Sequence, residues 1–305
     1  MNFNRLWPYL QLMRPANIVT AWADILIGFA ASGAVVSLNQ VVEGQANSAN
    51  LATLAWLLLA TTGLYGGGVV FNDVFDAELD AKERPERPIP SGRTSYQNAI
   101  KLGGLLLVIG VVAALQVSLL SGILAASVAL AALLYDSLCK HHPIFGPINM
   151  GICRGGNLLI GVSAVPAMVQ ERWFLALIPI AYIAAITAIS RGEVHGGKTS
   201  TGVLSLLLIG AVIGGILALG MLEKYEIIVA LPFVILFAGR VLPPFLKAVR
   251  EPSSEQIRMA VKAGVLSLIV LDATVAAGFA NWPYGLLVLS LLPISIKLAQ
   301  MFAVT

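Results

Sequence analysis

The chain has 305 residues, of which 58% are hydrophobic and only 11% charged, with a mean hydropathy of +0.85. Soluble domains carry about 25% charged residues, so this chain has too little charge to coat a soluble surface. A net charge of +3 gives no reason to expect nucleic acid as a partner; the composition calls for the lipid bilayer.

The N-terminal MNFNRLWPYLQLMRPAN is amphipathic, offers no small-residue cleavage site and runs straight into an apolar stretch, which argues against a cleaved signal peptide. Apolar runs of about 18 residues or more mark crossing helices. They fall near 17–38, 51–72, 98–116, 119–136, 148–168, 173–190, 202–221, 226–246, 259–280 and 285–302. The expected fold is all-α: a polytopic transmembrane helical bundle with nine clear helices and a shorter tenth after Trp282-Pro283, in a single domain over 1–305.

Lys and Arg divide unequally between the connections. Arg5, Arg14, Lys82, Arg84, Arg87, Arg93, Lys101, Lys140, Arg191, Lys198, Lys247, Arg250, Arg258 and Lys262 fall in one set, against Arg172 and Lys224 in the other. Cytoplasmic loops carry the excess of Lys and Arg. The N-terminus, the segment after the second helix, and the 137–147, 191–199 and 248–258 loops are therefore expected on the cytoplasmic side.

In the first helix, Arg14 and Asn17 near the cytoplasmic end could hold the polar head of an acceptor. Asp24 lies deeper, as do Arg154 in the fifth helix, Arg240 in the eighth and Asp272 in the ninth. Ionisable groups at such depths usually face the bundle interior or a water-filled cavity. The plain explanation is a structural ion pair or a neutral carboxyl, but Arg154 with Asn157, one turn apart, could also bind an acceptor head.

The second helix ends in NDVFDAELDAKERPERPIPSG, residues 72–92. If the helix continues, Asp73, Asp76 and Asp80 share one face, and Asn72 adds an amide oxygen one turn before Asp76. Like charges so placed repel. A hard divalent cation relieves that repulsion, and Mg²⁺ is usually held by one or two carboxylates plus substrate phosphate oxygens. Lys82, Arg84, Arg87 and Arg93 place cations within reach of the same anion, and Pro85, Pro88 and Pro90 stop the helix and stiffen the loop. An acidic solvated loop is the bland alternative.

The stretch NDVFDAELDAKERPERPIPSGR resembles the first Asp-rich motif of the UbiA-type intramembrane prenyltransferases, NDxxDxxxD followed by RP-[IL]-P-S-G. MRPAN at 13–17, YDSLCK at 135–140 and NMGICRGGNLLIG at 149–161 resemble that family's first-helix start, its Tyr-plus-basic motif and its fifth helix. The resemblance implies Mg²⁺-dependent transfer of a prenyl group from a polyprenyl diphosphate to an aromatic or other apolar acceptor. It implies that Asn72, Asp73, Asp76 and Asp80 hold the metal, with Asp73 and Asp76 central to catalysis. Arg84, Arg87, Lys140, Arg191 and Lys198 would contact diphosphate, and Tyr135 would steady the allylic cation or hydrogen-bond the diphosphate.

The family's second Asp-rich motif, DxxxD, has no counterpart here. The corresponding loop, ITAISRGEVHGGKTSTG, contains no Asp. Three alternatives stay open: Glu193, with or without His195, holds a metal; Arg191 and Lys198 replace the second metal electrostatically; or catalysis has been lost. His195 suits proton or hydrogen-bond work at least as well as a Mg²⁺ site. The altered loop resembles a divergent branch from small bacterial operons for secondary metabolites or pigments, which suggests a bacterial inner membrane. A non-catalytic carrier of an apolar metabolite, or a prenyl diphosphate cyclase, are the alternatives to transfer. Cys139 and Cys153 read as free thiols, and His141 and His142 as members of a solvated loop.

Overall fold

The computed structural model describes residues 3–35 and 48–302, and all the regular structure among them is helical. An amphipathic helix α1 (Phe3–Met13) leads into α2 (Pro15–Ala31), followed by α3 (Ser48–Phe75), a short α4 (Ala77–Glu83), α5 (Tyr96–Leu115), α6 (Leu119–Leu134) and α7 (Phe145–Val162). The second half runs α8 (Pro166–Arg172), α9 (Leu177–Ser190), α10 (Thr199–Ala218), α11 (Ile227–Arg250), α12 (Ser254–Phe279), α13 (Trp282–Leu289) and α14 (Leu291–Phe302). Among the described residues, eight helical spans are long and apolar enough to cross a membrane. With α2 and α7 they give the ten expected crossings, α8 and α9 serving as one and α13 and α14 as another.

Several ends move relative to expectation. The first helix stops at Ala31 because the Ser32 N–H returns to Gly28 O and Gly33, at φ 78, closes the last turn in the left-handed region. The expected end at 38 and most of the 43–50 connection lie outside the described residues. The fifth helix stops at Val162 rather than 168. Val165 is extended (φ −122, ψ 97) before Pro166, as the residue ahead of a proline prefers.

The two crossings that fail the length-and-hydropathy test, α2 and α7, are the inner ones. They approach closely at Gly28 and Gly161: a Cβ on Gly28 would sit 2.3 Å from the Leu158 carbonyl oxygen, and one on Gly161 2.5 Å from that of Ile25. Small residues at such crossings let backbones meet. Around them the core is filled by large side chains such as Tyr182, Phe237 and Phe245. The bundle is closed by its last element. Trp7 of α1 stacks on Phe302 at 4.5 Å, Ser295 Oγ donates to Ala16 O at 3.1 Å, and Tyr284 Oη donates to Leu26 O at 3.0 Å. The Arg- and Lys-rich connections converge on one end.

Candidate active site

At that end, α3 does not pass smoothly into the acidic stretch. It breaks at Asp76 (φ −87, ψ 0), although Asp76 N–H still reaches Asn72 O (3.0 Å) and Asp80 N–H reaches Asp76 O (2.8 Å). The break splits the expected single face. Asp73 and Asp80 are buried and share Arg87, at 3.3 and 2.7 Å, while Asp76 turns to the Lys140 ammonium. Arg87 arrives from the Pro-rich loop, which folds back on itself: Ser91 N–H bonds Arg87 O, Gly92 takes φ 73, and Thr94 N–H bonds Pro88 O. Arg84, Lys82 and Arg93 stay exposed, Arg93 donating to Gln11 Oε1 at 2.7 Å.

Arg14 occupies the joint between α1 and α2 with φ 47, the left-handed region, which is uncommon outside glycine. That geometry carries its guanidinium to Asp73 Oδ1 at 2.5 Å. Of the two residues expected to hold an acceptor head, Arg14 is ion-paired to Asp73 and Asn17 is half-buried on α2.

From the opposite wall comes the end of α6, where residues Tyr135–Cys139 widen into a π turn closed by Lys140 N–H to Tyr135 O at 2.8 Å. Such turns are rare and cluster at functional sites. Tyr135 is half-buried there, among the charges of Asp136, Asp76 and Arg191. Asp136 was not among the expected site residues. Its carboxylate accepts from Asn72 Nδ2 at 2.6 Å, so the site gathers four carboxylates, Asp73, Asp76, Asp80 and Asp136, against Arg14, Arg87 and Lys140. Its only sequence signal was its place inside YDSLCK.

The 191–198 loop meets this end through Arg191. Arg191 gives its guanidinium to backbone carbonyls of the facing loop, His142 O at 2.5 Å and Lys140 O at 3.4 Å. Gly197 N–H bonds Pro252 O, and His195 and Lys198 are exposed. Glu193 is half-buried. Burial raises its carboxyl above the ordinary value of 4.5, against the opposing pull of Arg258 and Arg84. His142 does more than sit in solvent, since its Nδ1 accepts from the N–H groups of Ile144 and Phe145 at the start of α7. Cys139 and Cys153 are free and half-buried.

Among the described residues, no three of His, Cys, Asp and Glu converge into a ready-made metal cage. Mg²⁺ takes one or two carboxylates and completes its shell with water and substrate phosphate, and Asp73 and Asp80, brought together on Arg87, offer such a pair. The donors at the break are oxygens, with neither sulfur nor imidazole among them.

A second polar cluster lies well inside the bundle. Arg154 Nε pairs with Asp24 Oδ2 at 2.7 Å and Arg154 Nη2 donates to Thr20 O at 2.5 Å. Asn157 Nδ2 donates to Asp24 Oδ2 and Ala21 O, both at 2.9 Å, and Thr61 Oγ1 donates to Asn157 Oδ1 at 2.7 Å. Asp272 of α12 faces Asp24, and Tyr65 lies under the guanidinium at 5.8 Å. Arg154 and Asn157, expected as a deep acceptor clamp, are engaged by protein groups. Arg240 does not face the interior; it is exposed on α11.

Residues 44–261 match the profile of the UbiA prenyltransferase family. The chain belongs to that family. The digeranylgeranylglyceryl phosphate synthase of Methanosarcina mazei is 32% identical over 166 residues, covering 51% of this chain and 54% of the relative. That of Methanothrix thermoacetophila is 31% identical over 202 residues, covering 62% and 68%. The chain thus spans about half the length of some of the relatives it matches. A solved digeranylgeranylglyceryl phosphate synthase structure has a TM-score of 0.68 at 21% identity, over 90% of this chain and 98% of the other. A UbiA homolog from Aeropyrum pernix gives 0.65 at 17% identity, over 84% and 96%. These likenesses show the fold: a polytopic helical bundle in a membrane.

Two expectations are corrected by the same relatives. They are archaeal, from Methanosarcina, Methanothrix, Ignicoccus and others, which overturns the placement in a bacterial inner membrane. They are also all digeranylgeranylglyceryl phosphate synthases, so the link to a secondary-metabolite branch has no support. The absence of Asp from 186–202 was a weak guide to lineage because it concerns one short loop.

Proposed function

We propose that this family member is an intramembrane prenyltransferase that takes a polyprenyl diphosphate and alkylates an apolar or aromatic acceptor, with Mg²⁺ as cofactor. The carrying observation is the set of exchangeable ion pairs at one end of the bundle, in which Arg14, Arg87 and Lys140 come from three different segments to Asp73, Asp80 and Asp76. Asn72, Asp73, Asp76 and Asp80 would hold Mg²⁺, which would neutralise charge developing on the leaving diphosphate. Arg87, Arg14 and Lys140 donate N–H groups to diphosphate oxygens once these compete for them. The allylic C–O bond breaks with its electron pair leaving on diphosphate; the acceptor forms the new bond and gives up a proton. The Tyr135 ring would steady the developing cation, or its hydroxyl would hydrogen-bond the diphosphate. Arg191 would hold the 140–142 backbone and Lys198 would meet the anion from solvent, with Glu193 half-buried in the same loop.

A second reading of the acceptor is favoured by the relatives. Their name describes two geranylgeranyl groups on glyceryl phosphate, which points to a hydroxyl of an isoprenoid glyceryl phosphate rather than an aromatic ring. The test is purified protein in lipid nanodiscs with Mg²⁺, a labelled allylic diphosphate and each acceptor class in turn. Transfer that needs Mg²⁺ and is lost in Asp76→Ala supports the proposal. Diphosphate release with no acceptor would make the protein a cyclase, and indifference to Mg²⁺ and to Asp76→Ala would leave only a carrier.

A further inference from the structure

Resting on the transferase reading, we propose that Asp136 is a positioning residue that sets which end of the Asn72 amide faces the site. A carboxylate can only accept a hydrogen bond, so the Asn72 group 2.6 Å from Asp136 Oδ1 is necessarily the NH₂. Its carbonyl oxygen is thereby turned away from Asp136 and left free as an acceptor, which is what a cation needs. An amide without that partner can turn its N–H donors toward the cation.

The contact is part of a ladder. Asn72 and Asp76 are one helical turn apart on α3; Asp136 and Lys140 have the same spacing across the π turn. The rungs are Asn72–Asp136 and Asp76–Lys140, each joining residues 64 apart in sequence. Thus NxxxD on one strand of the ladder meets DxxxK on the other. The lower rung orients an amide, and the upper one places an ammonium. Asp136 also feels the charges of Lys140 and Arg14, which offset the like charge of Asp76. The wall opposite α3 contributes Asp136 as the acid of this ladder.

The test uses Asp136→Asn and Asp136→Ala in the full chain, in detergent, with calorimetric titration of inorganic pyrophosphate at a series of Mg²⁺ concentrations. Asparagine at 136 can still offer a carbonyl oxygen to the Asn72 NH₂; alanine cannot. Loss of an outer-shell partner typically weakens metal affinity by about 10- to 100-fold. Asp136→Ala should therefore raise the Mg²⁺ needed for pyrophosphate binding by about tenfold, while Asp136→Asn stays near wild type. Adding Asn72→Ala to Asp136→Ala should cost little more, because the two residues act as one unit. Equal losses in Asp136→Asn and Asp136→Ala would show that charge matters rather than orientation, and additive losses would show that the residues act separately; either overturns the assignment. If wild type itself binds no pyrophosphate with Mg²⁺, the transferase reading falls and this inference with it, whereas normal wild-type binding with additive losses sinks only the role of Asp136.

Discussion

Two clusters of Asp, Arg and Asn lie one below the other in this bundle, and their difference separates structure from chemistry. In the deep cluster, Asp24 and Arg154 are 0% and 6% exposed as side chains, and Thr20, Thr61 and Asn157 close around them. In the end cluster, Arg14 and Lys140 are each 20% exposed and Asp76 15%. The deep groups bond mainly to one another and to backbone, and they join α2, α3, α7 and α12. Asp73 and Asp80 are as buried as Arg154, at 6% and 5%, so the open members of the end cluster are its cations and Asp76, which on the transferase reading would trade a protein partner for a substrate oxygen. On that reading the same residue types do opposite work.

The sharpest way to break this comparison is Arg154→Ala. Removing one partner of a buried ion pair leaves an uncompensated charge and costs about 3–5 kcal/mol, so thermal melting in detergent should show a large loss of stability and yield. A well-folded variant with only a turnover defect would put Arg154 in the chemistry instead. Next comes Asp76→Ala, which should lower transfer about 10²–10³-fold, the scale seen when one preorganised electrostatic group is removed, while the melting temperature moves little. A melt as damaged as that of Arg154→Ala would merge the two clusters into one structural system.

Arg191→Ala sharpens the edge of the end cluster. Its guanidinium binds the carbonyls of Lys140 and His142, so the variant should lower kcat several-fold, on the order of the net value of such hydrogen bonds, with the KM for diphosphate unchanged. A raised KM with intact kcat would make Arg191 a direct diphosphate ligand. The smallest effect belongs to Glu193. Its folded-state carboxyl titrates above 4.5, so the folded protein holds that proton more tightly than the unfolded chain. Stability is then lost as pH rises through the window above the ordinary glutamate value. Melting curves should show a slight fall with pH in wild type that Glu193→Gln lacks; an opposite slope would mean that Arg84 and Arg258 outweigh burial.

The crossings were legible because length and hydropathy alone mark them; their ends were not, because Ser32-Gly33 and Val165-Pro166 act through local backbone geometry that apolar runs do not report. The Asn72–Asp80 stretch stood out by its spacing, but the break at Asp76 that divides its single face did not. Arg14 meeting Asp73, and Asp136 meeting Asn72, depend on which helices the bundle sets side by side, and no local pattern encodes that. Arg154, Asp24 and Asp272 stood out as rare ionisable residues, but that they would meet one another follows from the packing of α2 on α7 and α12. Arg240 broke the expectation of an inward-facing charge, since it lies toward the edge of the buried stripe of α11.

The placement of Asp24 also has a consequence for how the molecule comes into being. It enters with the first crossing, whereas Arg154 and Asn157 arrive with the fifth and Asp272 with the ninth. Chains are made from the N-terminus onward, so during synthesis the first helix holds a carboxyl in the bilayer with none of these partners present. The contacts that cover α2, from Tyr284 and Ser295, come from the last crossing. Assembly therefore cannot proceed by finishing each helix in turn: the first helix to enter the membrane is the one completed last.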